Sequence, residues 1–122
     1  MLCVVLATAA HAQRISFCEK VDSTGKAISV SNKFRINKKG DFLYFHVNLP
    51  HEVGHDAVVY DLFWIDKDGK EHFDNSVKQK VQPGWTSFWK EISFYHSGTY
   101  RIYVYNDYDK FLCVGELAVV MK

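Results

Sequence analysis

Hydrophobic and polar residues alternate with a period of two along most of this chain. Residues 98–106 show it best: Tyr100, Ile102 and Val104 fall on one side, and Tyr103 and Tyr105 on the other. A run of β-branched and aromatic residues with that period, entered through Gly98, predicts a strand within an antiparallel sheet. Residues 42–49 carry apolar side chains on both faces, which predicts a central strand covered on each side and ended by Pro50. The stretch 57–66 is a second strong strand. Weaker alternation marks 14–21, then 27–36 as one broken strand or two short ones, and 85–94 and 110–120. Residues 71–74 read as the return of a hairpin. Residues 76–81 read as a separate short strand whose alternating lysines suit an edge.

Turn chemistry separates these runs at 22–26, 38–41, 67–70, 82–84 and 106–109, each with Gly, Asp or Asn in place. Breaks recurring about every ten residues, with no helical periodicity between them, point to an all-β protein of seven to nine strands rather than to βαβ units. The predicted architecture is a single β-sandwich domain over 13–122.

The segment Ser97-Gly98-Thr99-Tyr100-Arg101, with Val104 following, resembles the start of strand F in immunoglobulin-like sandwiches. The resemblance covers about ten residues and implies an immunoglobulin-like antiparallel β-sandwich. It also implies that Tyr100 hydrogen-bonds back across the corner before its strand. Disulfide-bearing members of that superfamily place a cysteine two residues after the tyrosine. Ile102 stands there instead, so that inter-sheet bridge is missing.

Composition narrows the functional classes. Of 122 residues, 48% are hydrophobic and 16% aromatic, enough for a two-layer core. The formal net charge is +1 with both signs interspersed, so no nucleic-acid partner is implied. Residues 1–10 are an uncharged apolar run, followed by Ala10-His11-Ala12 with the small-x-small spacing of a signal-peptidase site. The reading is a secretory signal over 1–12 and a secreted or periplasmic mature domain. That run is too short to span a bilayer. In an exported chain, Cys18 and Cys113 would be the two remaining cysteines and a possible disulfide. Against the pairing, Cys18 alternates with polar Ser16 and Lys20, and Cys113 with apolar Phe111 and Leu117.

Candidate chemistry sits in the turns. His51-Glu52-Val53-Gly54-His55 matches the His-Glu-x-x-His of zincin metallopeptidases, in which two imidazoles one helical turn apart hold zinc and the glutamate polarises its water. Pro50 and Gly54 interrupt any helix there, and only residues 50–56 separate two strong strands, so the motif is a remote alternative with His51 and His55 as metal candidates. The turn 66–71 lacks the ligand spacing of a calcium loop, Trp64 and Asn75 standing where ligands belong. No nucleophile elbow and no phosphate-cradling glycine loop is present. No cofactor is implied, and the chain reads as not an enzyme.

Aromatic residues are the remaining lead. Trp85 and Trp89 share one parity of their strand, and Tyr103 and Tyr105 share one parity of theirs. If the opposite parities face the core, these four form a binding platform; if both faces are covered, they are packing. The function expected is a non-catalytic binding or structural module acting through protein–protein contacts. A carbohydrate-binding module with an exposed aromatic platform is the alternative, so the partner is an unidentified protein or glycan.

Overall fold

The computed structural model describes residues 14–122, all of whose regular elements are strands. The expected signal segment 1–12 lies outside the described residues. Ten strands follow in order: β1 Ile15–Cys18, β2 Lys20–Val21, β3 Ala27–Ile28, β4 Lys33–Ile36, β5 Asp41–Asn48, β6 Ala57–Ile65, β7 Glu71–Lys80, β8 Ser87–Phe94, β9 Gly98–Asn106 and β10 Phe111–Met121. The count exceeds the expected seven to nine because the first third of the chain is cut into four short strands. In the other direction, 71–74 and 76–81 do not form two strands. They join as β7, which bulges at Asp74 where the β6–β7 register shifts.

The strands form a three-stranded sheet, β1-β5-β8, and a five-stranded sheet, β4-β10-β9-β6-β7. All pairings are antiparallel except β4 with β10, which run parallel from Lys33 beside Ala118 to Ile36 beside Met121. The described residues thus start in one sheet and cross to the edge of the other. Between those two stations the β2–β3 hairpin folds out, its turn tied by the Asp22 carboxylate, which accepts from the Thr24 amide and hydroxyl and the Lys26 amide.

Burial has a period of two. Val58, Tyr60, Leu62, Ile102, Val104, Leu117 and Val119 of the large sheet face Phe17, Leu43, Phe45, Val47, Phe88 and Ile92 of the small one. Aromatic contacts tie the core: Phe45 meets its cross-strand neighbour Phe17 at 5.3 Å within the small sheet, and between the layers Phe45 meets Tyr60 at 5.7 Å and Phe94 meets Tyr100 at 5.1 Å between ring centroids. β5 is central in its sheet, as expected, but its outer face is covered only in part, with His46 buried and Phe42 47% exposed. The Tyr100 hydroxyl donates to the His96 carbonyl at 3.0 Å, closing the corner before β9. Among the described residues no helix is long and apolar enough to cross a membrane.

Candidate functional site

The His51–His55 segment is an irregular loop, and Gly54 takes a φ of 74° while its amide donates to the Pro83 carbonyl. Val53 is buried there and its amide donates to the Trp85 carbonyl, so the loop is pinned to the turn before β8. The two imidazoles have separate local partners. His51 Nδ1 meets the Glu52 carbonyl at 2.8 Å, and His55 meets Asp107 at 3.3 Å and the Tyr108 ring at 4.3 Å. The helix that zincin geometry requires is not formed. Among the described residues no three metal-ligating side chains gather.

Trp85 and Trp89 line one cleft of about 450 Å³ with Gln79, Ser87 and Phe88. Each indole is about two-fifths exposed. The Gln79 amide is held at both ends: its oxygen accepts from the Tyr60 hydroxyl at 2.6 Å and its nitrogen donates to the Trp89 carbonyl at 2.8 Å. Gln79 therefore clamps the edge of one sheet to the edge of the other.

Tyr103 and Tyr105 lie elsewhere, on the outer face of the five-stranded sheet, so the four aromatic candidates divide into two surfaces. Cross-strand register builds that face in rows: Phe73, Phe63, Arg101 and Glu116; then Ser76, Asp61, Tyr103 and Val114; then Lys78, Val59, Tyr105 and Phe111. Phe63 packs edge-on against both Phe73, at 5.6 Å, and Tyr103, at 5.5 Å. Tyr105 packs against Phe111 at 5.9 Å. Phe73 is 61% exposed on the β7 edge, and Phe111 and Val114 are exposed on β10, across β6 and β9 from it.

A charged network crosses the same face. Arg101 reaches Glu71 at 2.6 Å through Nη1, and Glu116 through Nε at 3.0 Å and Nη2 at 2.7 Å. The Tyr103 hydroxyl donates to the same Glu71 oxygen. These bonds, Tyr103 first and Arg101 second, hold the Glu71 carboxyl below the usual glutamate range. Glu116 and then Glu71 hold the guanidinium charged to still higher pH than usual. Sequence reasoning passed over Arg101, Phe73, Phe63 and Phe111. Arg101 shares its parity with Tyr103 and Tyr105 and was findable on that signal; Phe73 becomes a member of the face only through the bulged register of β7.

The possible pairing of Cys18 with Cys113 is not formed; both are free and buried. Cys18 shares the outward parity of Ser16 in β1, where its Sγ lies 3.9 Å from the Tyr44 carbonyl. Cys113 belongs to the core between the sheets. A layer of strand separates them, and burial raises both thiol pKa values, that of Cys113 to about 12.

No family model matches the chain, and no curated protein matches it. Among solved structures it is similar to an immunoglobulin-like protein from Pseudomonas aeruginosa, with a TM-score of 0.56 at 18% identity over 86% of this chain and 90% of that one. The fold is an immunoglobulin-like β-sandwich.

Proposed function

We propose that this chain is a non-catalytic binding module, secreted or periplasmic, that holds a protein partner on the outer face of its five-stranded sheet. The observation that carries the reading is the composition of that face: exposed Phe73, Phe111 and Val114 adjoin half-buried Phe63, Tyr103 and Tyr105 around one immobilised arginine. Protein interfaces are enriched in aromatic residues and arginine, and rigid side chains lose little entropy on binding. The leader-like segment 1–12 supports action outside the cytoplasm. The immunoglobulin-like neighbour is compatible with a binding role and goes no further.

Photo-crosslinking in the native host tests the reading. A benzophenone side chain at position 73 or 111 is expected to form a discrete adduct with one protein, and the same group at Glu91, on the outer face of the small sheet, none. Equal labelling at all three positions would refute it.

A second reading, carbohydrate binding, is favoured by the shared cleft of Trp85 and Trp89. Glycan-array binding lost in Trp85→Ala but kept in Phe73→Ser would move the function to that cleft.

A further inference from the structure

The end of the sandwich that carries the turns 66–70 and 95–97 holds a different kind of site. In the β6–β7 ladder Leu62 faces Asn75 and Phe63 faces Phe73, so Asp74 is the residue the bulge leaves without a partner. Bulges re-aim side chains, and they concentrate beside functional sites. Asp74 lines two adjoining hollows of about 220 and 250 Å³, which also share His96 and Tyr100. Trp64 walls the first, and Phe94 and Tyr95 wall the second.

These walls are braced. The Trp64 indole stacks on the His72 imidazole at 4.2 Å and 17°, and His72 is in turn held by the Asp66 carboxylate at 2.8 Å. Tyr100 is fixed by its bond to the His96 carbonyl. The Asp74 carboxylate is in no ion pair with another described residue. Its charge reaches the Tyr100 hydroxyl, whose pKa is raised by burial first and by Asp74 second. Of the residues lining both hollows, Asp74 is the one carboxylate, and no Lys or Arg is among them. A single uncompensated carboxylate between aromatic walls is complementary to an organic cation: the carboxylate supplies the charge and the rings supply cation–π attraction.

We propose that this bulge-centred hollow receives the guanidinium of an arginine side chain presented by a protein partner. A guanidinium is planar, weakly hydrated and able to bind a carboxylate through two parallel N–H donors, and it stacks on aromatic faces as an ammonium does not. With His72 covering one face of the indole, the cation meets Trp64 from the other. The site is separate from the outer-sheet surface, since Phe73 and Asp74 are adjacent in sequence yet belong to different surfaces.

The experiment is a two-dimensional amide NMR titration of the full chain with N-acetyl-arginine amide. Saturable shifts are expected at the Trp64 indole N–H, at Asp74 and across residues 96–100. The neutral isostere N-acetyl-citrulline amide and the variant Asp74→Asn should each bind about tenfold more weakly or worse, the loss of one charge-assisted hydrogen bond. Glu52→Gln, which alters an exposed carboxylate in the 50–56 loop, should bind as the parent does. Shifts scattered over the surface, or undiminished binding by Asp74→Asn or by citrulline, would overturn the site. Equal affinity for N-acetyl-lysine amide would overturn the assignment to arginine. The crosslinks at positions 73 and 111 are read independently, so either proposal can fail alone.

Discussion

The indole of Trp89 lies flat over the imidazole of His46, with ring centroids 5.6 Å apart and planes 6° from parallel. His46 is only 4% exposed although it sits on the outward face of β5, because the β2–β3 hairpin folds across it. Its Nε2 donates to the Gly25 carbonyl at 2.8 Å, and a Cβ built on Gly25 would lie 3.1 Å from the Trp89 ring. Trp89 is thus a clamp on the hairpin before it is a ligand platform. Trp89→Ala should cost about 1–3 kcal/mol, less than for a fully buried tryptophan. Hydrogen exchange should locate the loss in residues 19–28. Gly25→Ala should act in the same direction, since the φ of 86° disfavours any side chain there.

Tyr100→Phe keeps the ring against Phe94 and deletes the hydroxyl bond to His96. Thermal denaturation should show a loss of about 1 kcal/mol, a fall in Tm on the order of 4 °C. An unchanged Tm would mean that the corner bond adds nothing net.

Gly115→Ala tests the closest approach of the two sheets. A Cβ at Gly115 would stand 2.6 Å from Ile15 Cγ2 and 3.0 Å from Phe17 Cζ, so β1 and β10 must separate to admit it. Urea unfolding is expected to register a loss of about 1–3 kcal/mol from overpacking. Adding Ile15→Ala, which removes the clashing methyl, should make the pair less costly than the sum of the single changes.

Acid sensitivity should trace in part to Glu71. Its folded carboxyl is held below the ordinary value of 4.5, by Tyr103 first and Arg101 second. The stability it contributes is present above that value and is lost as pH falls through the depressed folded one. Glu71→Gln should therefore be less stable than the parent at neutral pH, and the gap should narrow as the solution is acidified. Denaturation midpoints measured from pH 7 to pH 2 check this; a constant gap would contradict it.

Free, buried thiols predict chemical silence. A disulfide reagent should modify neither Cys18 nor Cys113 in the folded protein and both in denaturant, and a reductant should leave Tm unchanged.

Several features could be read directly because they are local. The alternation in β5, β6 and β9 is visible in the chain since one face of each pleated strand is core and the side-chain period is two. The turns announced themselves through residues such as Gly25, Gly40 and Gly69, all of which take positive φ. The Tyr100 corner spans the five residues 96–100 and resembles a known strand start.

What tertiary structure alone decided depends on register and on which layer covers which. The period-two pattern puts Tyr103 and Tyr105 on one face of their strand. It does not place Arg101 between Glu71 and Glu116, which lie on two other strands, 30 and 15 residues away. Alternation put Trp89 on the parity opposite Phe88 and Ile92 and left open whether that face was covered; the cover over His46 arrives from a hairpin of two-residue strands with almost no pattern of its own. Asp74 read as the end of a hairpin return, and only pairing with β6 turned it into a bulge beside Trp64, His96 and Tyr100. Alternation is set by each strand's own pleat, so one chain carries it in full; a site assembled from several strands also needs their relative slide, which side-chain packing sets only once the layers meet.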